Sequence, residues 1–115
     1  MTIHNLTPHD VNFTVGGASI TFPSEGVARA AQTDETVGII TLDSAALPQV
    51  EIVKSTFGQP EGLPEPSEGT YYIVSLLTAT AAKASGRTTS DLLMPAGIVR
   101  DAEGRIIGCS KFSQL

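Results

Sequence analysis

The sequence predicts an α+β fold, a mostly antiparallel β-sheet of short hairpins with one main helix, from three observations. Apolar and polar residues alternate in several short runs, which is the period of half-buried strands. Clusters of Gly and Pro separate these runs. Only the run at about 76–85 is typical of a helix. Because the chain has 115 residues, we expect one domain over 1–115.

The clearest hairpin signal lies near the N-terminus. Val11–Val15 alternates, with Val11 and Phe13 on the same side, and Ala18–Phe22 alternates back. Gly16-Gly17 between them suits a two-residue turn. Four further short strands are predicted in the first half of the chain: Ile3–Leu6, Val27–Ala31, Thr36–Leu42 and Val50–Phe57.

The second half begins with a predicted long loop over 58–70, which is rich in Gly and Pro. The helix at about 76–85 (LLTATAAKAS) follows, with Ser75 placed to cap it and Gly86 beyond its end. Its alanines form a thin face that can pack against a sheet or a second subunit. The last predicted strands are Asp91–Met94, Gly97–Arg100 and Arg105–Phe112, with Pro95 dividing the first two and a turn at 101–104 before the third.

Cysteine content and hydropathy predict the compartment. The single Cys109 cannot form an internal disulfide, which favours a reducing environment. The N-terminal residues show neither the basic start nor the apolar run of a signal peptide, and no apolar stretch approaches the roughly 18 residues of a membrane span. We therefore expect a cytoplasmic protein without a membrane partner.

Charge is distributed unevenly along the chain. The net charge of −5 argues against binding a nucleic-acid polymer. Residues 1–82 carry two basic and nine acidic side chains, a balance of −7, whereas residues 83–115 carry five basic and three acidic ones, a balance of +2. An anionic small molecule could bind where the arginines gather, although the same charges are typical of a solvated surface.

Catalytic motifs are missing from the sequence. It contains neither a phosphate-binding glycine loop, nor a Gly-x-Ser-x-Gly elbow, nor the paired His-x-Ser/Thr motifs of phosphodiester-cleaving enzymes. His4 and His9 are interpreted as hydrogen-bonded turn residues, and Cys109 as a small core residue. We therefore expect no catalysis by side chains and no cofactor or metal.

The remaining candidates are groups that bind anions or bases. Arginine forks suit phosphate because two donors lie in one plane. Adjacent tyrosines could stack on a base, although one of them is expected to face the core. The candidate ligand-binding residues are Arg29, Tyr71, Tyr72, Arg87, Thr88, Arg100 and Arg105.

Several short motifs, in order, carry a family resemblance. They are Asn5–His9 (NLTPH), Pro23–Arg29 (PSEGVAR), Gly69–Ser75 (GTYYIVS), Asp91–Pro95 (DLLMP), Val99–Asp101 (VRD) and Gly104–Cys109 (GRIIGC). In these motifs and in length the chain resembles small phage proteins of the first Thoeris anti-defence family. The region 32–68 contributes almost nothing to the resemblance.

The resemblance implies a sponge that sequesters a cyclic ADP-ribose isomer made by a bacterial TIR-domain enzyme, without cleaving it. Some members also hold cyclic oligonucleotides at separate sites. It further implies a homo-oligomer, a dimer or a trimer of dimers, with pockets between subunits, in the cytoplasm of the phage's host. The ligand-binding arginines that the resemblance implies are Arg29, in the Val-Ala-Arg motif, and Arg100, in the Val-Arg-Asp motif.

Two other functions remain open. The chain could be a small structural or assembly protein of a phage particle. It could also be a small hydrolase acting through a metal held by Asp91, Asp101 or Glu103. Because the helix offers a thin alanine face and aromatics are scarce, the sequence independently favours a homo-oligomer.

Overall fold

The computed structural model describes residues 1–115 and contains eight strands and one helix. Strands account for 54% of the residues, which confirms the α+β prediction with one main helix. The elements are β1 (Thr2–Asn5), β2 (Val11–Val15), β3 (Ala18–Phe22), β4 (Arg29–Thr41), β5 (Gln49–Glu61), β6 (Thr70–Ile73), α1 (Leu76–Ala84), β7 (Leu92–Arg100) and β8 (Ile106–Ser113).

Six strands form one sheet in the order β1-β6-β7-β8-β2-β3, and β4 and β5 form a separate two-stranded ribbon. Three hairpins, β2–β3, β4–β5 and β7–β8, are antiparallel and contain most of the registered residues. Shorter parallel pairings join β1 to β6, β6 to β7 and β2 to β8. The β2–β3 turn uses Gly16 and Gly17, both at positive φ (58° and 81°), which is the conformation that a type I′ turn requires.

The two edges of the large sheet meet at Asn5. Its backbone carbonyl accepts from the Glu25 N–H at 2.9 Å, and Asn5 forms a parallel bridge with Ser24, just beyond β3. The Asn5 amide donates to the carbonyls of His9 and Phe22, both at 2.8 Å. Its Oδ1 accepts from the N–H and the hydroxyl of Thr7 at 3.0 and 2.6 Å. This fully buried side chain therefore ties β1 to the end of β3.

The helix α1 covers one face of the sheet with its small side chains. Ala79 and Ala82 pack in the core with Val74 and Leu92. Ser75 caps the helix by accepting from the Thr78 N–H at 3.2 Å. The alanine face, which the sequence offered to a sheet or a second subunit, is thus occupied by the protein's own sheet and the foot of the ribbon.

The ribbon corrects four predictions. Most residues of the expected strands Val27–Ala31 and Thr36–Leu42 belong to the single strand β4, because Gln32–Glu35 also pair across the ribbon; Val27, Ala28 and Leu42 lie outside it. Polar cross-strand bonds stabilise this stretch: Ser55 Oγ donates to Asp34 Oδ1 at 2.6 Å. The strand predicted over Val50–Phe57 extends to Glu61, so the connection before β6 is 62–69 rather than 58–70.

Two prolines lie inside strands where we expected interruptions. Pro95 stands within the continuous strand β7, which the sequence predicted as two strands. The parallel pairing of β6 with β7 ends at Leu93, so beyond that residue one edge of β7 is free and Pro95 needs no N–H there. Pro60 pairs with Ala30 next to a register shift, where the ladder of the ribbon is already interrupted.

Candidate functional site

A cavity with both polar and apolar lining residues lies at the foot of the ribbon, and we call it the foot cavity. It measures about 370 Å³. Three segments surround it: the loop after β1, the start of β4 and the first turn of α1. Its lining residues are Leu6, Thr7, Pro8, Val27, Ala28, Arg29, Ala30, Gln32, Ser75, Leu77 and Thr78.

Local sequence explains why these three segments meet. The Ala28 N–H donates to the Leu6 carbonyl at 3.0 Å, which fixes the chain entering β4 beside β1. The buried Thr78 hydroxyl donates to the Ala28 carbonyl at 3.0 Å, which fixes the start of α1 to the same point. Arg29 comes next in the chain, so both bonds determine where its side chain leaves the backbone.

The foot cavity offers hydrogen-bond donors to an anion. Arg29 is exposed and forms no salt bridge within the chain. Leu77 lines the cavity from the first turn of α1, where an α-helix supplies no intrahelical acceptor to its backbone N–H group. A helix N-terminus also carries partial positive charge. The arrangement can therefore bind phosphate or carboxylate, but it contains no general base.

Arg87 has a different environment from Arg29. Its guanidinium forms a two-pronged ion pair with Asp91, at 2.9 Å for both N–O distances. It also donates to the carbonyls of Thr88 and Pro64 at 2.8 Å. The Nε atom is buried without a partner. The two side chains are only 14% and 10% exposed, so Arg87 holds the 62–69 connection against the end of α1 instead of presenting a free fork.

The other polar candidates lie at two turns. The Thr88 hydroxyl hydrogen-bonds with that of Ser90 at 3.2 Å. Arg100 Nη1 donates to the Gly104 carbonyl at 2.9 Å, and the exposed side chain of Arg105 pairs with that of Glu103 at 2.7 Å. The structure thus brings Arg100 and Arg105 together at the β7–β8 turn, but it places neither in the foot cavity.

The two tyrosines point to opposite faces of β6, as the sequence predicted. Tyr72 is buried in the core and stacks on His4 at 5.8 Å between ring centroids. Tyr71 lines an open apolar cavity of about 410 Å³ with Ile3 and Phe112. His4 Nδ1 bonds to the Glu25 carboxylate at 3.0 Å, and this bond holds the pKa of the Glu25 carboxyl below its ordinary value.

Reactive and metal-binding groups do not converge. Cys109 is 6% exposed, and burial raises the pKa of its thiol. Asp91 is bound by Arg87, and Asp101 Oδ1 accepts from the backbone N–H groups of Glu103 and Arg105. No group of three or more His, Cys, Asp or Glu side chains is placed to hold a metal ion.

The foot cavity contains only one of the residues proposed from the sequence, Arg29. Sequence reasoning missed Thr7, Gln32 and Thr78, because each becomes part of the cavity through contacts between distant segments. Only Ser75 gave a local signal, as the predicted helix cap.

No helix of the chain has both the length and the apolar character needed to cross a membrane. Comparison with known protein families, curated proteins and solved structures found no match to this chain.

Proposed function

We propose that the protein is a phage anti-defence sponge that binds a cyclic ADP-ribose-type signalling nucleotide without cleaving it and so blocks host immune signalling. The observation that carries this proposal is the foot cavity, where the free Arg29 of the PSEGVAR motif lies beside the first turn of α1. The proposal places the protein in the cytoplasm of the host cell. It takes its ligand class from the family resemblance.

The residues of the foot cavity suit the parts of such a nucleotide. The Arg29 fork can hold two oxygens of one phosphate, with the first-turn N–H groups of α1 beside it. Leu6 and Leu77 offer apolar surface to a ribose or base, and Gln32 offers both a donor and an acceptor. The volume of about 370 Å³ lies at the small end of the range for ligand pockets, about 300–1,000 Å³.

The first experiment measures binding by calorimetric titration with cyclic ADP-ribose. Arg29→Ala should raise Kd about ten- to a hundred-fold, the effect of losing a hydrogen bond to a charged group. Arg29→Lys should restore only part of the affinity because lysine has no fork. Lys83→Ala, an exposed cation in the last turn of α1, is the matched control and should bind like the wild type. Equal affinity of Arg29→Ala and wild type would contradict binding of the nucleotide at the foot cavity.

Arg100 is the second arginine that the family resemblance implies as a ligand contact. It lies outside the foot cavity of its own chain, so a role in the same ligand would require a neighbouring subunit to supply it. Arg100→Ala should then weaken binding by a similar factor. Unchanged affinity would leave Arg100 as a turn-stabilising residue.

The absence of turnover needs its own measurement. Mass spectrometry of the supernatant after incubation and heat denaturation should recover intact cyclic nucleotide. A cleaved product released over multiple turnovers would contradict the sponge and favour the hydrolase alternative.

A structural or assembly role in a phage particle is the second candidate, and the ribbon is the observation that favours it. The β4–β5 ribbon exposes large aliphatic side chains along strands of 13 residues each. A virion component would co-purify with particles and release no nucleotide on heating. The sponge would show the opposite result.

A further inference from the structure

The large sheet nearly closes on itself, but its edge strands β1 and β3 leave a gap, which we call the seam. The two strands run parallel and meet only at the bridge between Asn5 and Ser24. Before that bridge, β1 pairs only with β6 and β3 pairs only with β2. The seam therefore lies between Thr2–His4 on one side and Ala18–Phe22 on the other, and it is closed at the Asn5 end.

The backbone of β3 presents unpaired groups to the seam. The two-residue turn makes Val15 and Ala18 a hydrogen-bonded pair, and such pairs alternate along an antiparallel ladder. Ser19 and Thr21 are therefore the positions whose N–H and carbonyl groups point away from β2. No hydrogen bond outside the ladders involves the backbone of either residue. Two donors and two acceptors of β3 thus face the seam.

The other side of the seam is formed by β1. The N–H groups of Thr2 and Leu6 donate at 2.8 and 2.9 Å to carbonyls of β6 and of the residue before it. Because backbone groups of successive strand residues point to opposite sides, those of Ile3 and Asn5 point towards β3. The Asn5 carbonyl already accepts from the Glu25 N–H. The N–H and carbonyl of Ile3 remain for a strand in the open part of the seam.

An apolar surface lies under the seam. The open cavity of about 410 Å³ is lined by Met1, Ile3, Tyr71, Leu93, Phe112 and Gln114. The Phe112 ring also lies 6.1 Å from the ring of Phe22 in β3, between centroids. Ile20 projects from the same side of β3 as Phe22 and is 55% exposed. Alternate side chains of a strand in the seam would therefore meet apolar side chains on this face.

The other free strand edges carry the features that discourage pairing with another chain. Natural proteins protect such edges with proline, charged side chains or very short strands. The free edge of β7 contains Pro95, β4 contains Asp34 and Glu35, and β5 contains Lys54 and Pro60. In contrast, β3 (ASITF) has neither a charged residue nor a proline. Its edge is thus the one best suited to accept a strand.

We propose that an extended segment of a partner protein binds in the seam by pairing antiparallel to β3. Its backbone bonds to Ser19 and Thr21, and its alternate side chains enter the cavity beside Ile3 and Tyr71. In this mode of recognition, backbone bonds give affinity and side-chain pockets give specificity. A second copy of this chain does not fit, because its β3 is joined to β2, which would lie where β1 bounds the seam.

The lining and the charge of the seam define the chemistry of the segment. No charged side chain lines the cavity, so the side chains that enter it are aliphatic. Residues 1–28 form both sides of the seam and contain two acidic side chains but neither Lys nor Arg. Basic residues at the ends of the segment therefore complement the charge of this region. The proposal is independent of nucleotide binding at the foot cavity.

The test uses a capped, fluorescein-labelled peptide, KTVTLTK, whose Val and Leu lie on one side of an extended strand and whose ends are basic. Fluorescence anisotropy should show saturable binding with a Kd below about 1 mM. The control peptide KTVPLTK has proline at its centre, where the peptide N–H donates to β3. It should bind about ten-fold more weakly or worse, because it lacks that donor and its ring crowds the edge.

Two variants of the protein test the two parts of the seam. Ser19→Pro removes an N–H that β2 does not use, and Ile20→Lys places a charge on the apolar side of β3. Each should raise the Kd of KTVTLTK about ten-fold or more. Ile39→Lys, which changes an equally exposed isoleucine of the ribbon, is the matched control and should bind like the wild type. Circular dichroism checks that all three variants are folded.

Amide hydrogen exchange measured by NMR gives a readout that needs no variant. At saturating KTVTLTK, the amides of Ser19 and Thr21 should exchange more slowly, because they acquire acceptors. The Ile20 amide already bonds within the ladder to β2 and should change much less. Nonspecific adhesion of the peptide to apolar surface would not produce this alternation, so the measurement decides even where Ser19→Pro does not fold.

Four results would overturn the proposal. The first is the absence of saturable binding at about 1 mM peptide, and the second is equal binding of the proline peptide. The third is a Kd that neither Ser19→Pro nor Ile20→Lys changes, or that Ile39→Lys raises equally. The fourth is protection of the Ser19 and Thr21 amides that rises with protein concentration without peptide, which would make a second copy the occupant. None of these results bears on nucleotide binding at Arg29.

Discussion

Replacing Asn5 with alanine should destabilise the fold by about 2–4 kcal/mol, because four side-chain hydrogen bonds are lost at once. Each such bond contributes about 0.5–1.5 kcal/mol net. The upper part of the summed range is not reached, since the single Thr7 hydroxyl proton, which points to Asn5 Oδ1 at 2.6 Å, can turn to the His9 carbonyl at 3.0 Å in the variant. The Phe22 carbonyl loses the bond from the Asn5 amide, beside a fully buried position.

Urea unfolding followed by circular dichroism measures this effect. With a urea dependence of about 1.5 kcal/mol per molar, a loss of 3 kcal/mol lowers the midpoint by about 2 M. All variants must be compared at one protein concentration, since self-association would add to the apparent stability. The loss is a large part of the 5–15 kcal/mol typical of a domain.

Two further variants separate the amide from general effects of substitution. Asn5→Asp keeps the acceptor for Thr7 but replaces both donors with an anion, so it should be at least as destabilising as alanine at neutral pH. Asn12→Ala removes an exposed asparagine whose side chain accepts one bond, from Thr21 at 2.8 Å, and should cost less than about 1 kcal/mol. If Asn5→Ala stays within about 0.5 kcal/mol of the wild type, Asn5 does not hold the sheet edges together.

Two other predictions concern buried groups. Asp91→Ala should destabilise the protein by about 3–5 kcal/mol, since it leaves the largely buried Arg87 guanidinium without its counter-ion; urea unfolding checks this, and a cost below about 1 kcal/mol would contradict it. Cys109 should react with a thiol reagent at pH 8 far more slowly in the native protein than in urea, because burial excludes the reagent and the raised pKa lowers the thiolate fraction. Equal rates in the two states would show that the thiol is accessible.

Local signals predicted the hairpin and the helix closely. The bounds of β2 and β3 agree with the predicted Val11–Val15 and Ala18–Phe22, since alternation and the two glycines act over neighbouring residues. The helix ends at Ala84, one residue before the predicted end, and begins after the predicted cap Ser75. Such features need no knowledge of the rest of the fold.

The ribbon and the foot cavity depend on distant segments, and the sequence could not reveal them. Gln32–Glu35 have no apolar alternation, so their strand conformation rests on partners 19 to 25 residues away, such as Ser55. Arg29 was identified by its type and motif, whereas its position beside Thr78 results from a bond between residues 28 and 78. From the sequence alone, the ion pair of Arg87 with Asp91 likewise could not be distinguished from two separate, exposed charges.

The parallel pairing of β2 with β8 has a consequence for the order of folding. Phe13 lies beside Cys109, so the sheet cannot be completed until almost the whole chain has been synthesised. The β4–β5 ribbon, by contrast, pairs residues close in sequence at its tip and can form much earlier. During synthesis, the aliphatic ribbon would therefore be present before the sheet that anchors it. We expect slow refolding, in milliseconds to seconds. We also expect the folding yield to fall strongly as protein concentration rises, since the early intermediate exposes the aliphatic side chains of the ribbon.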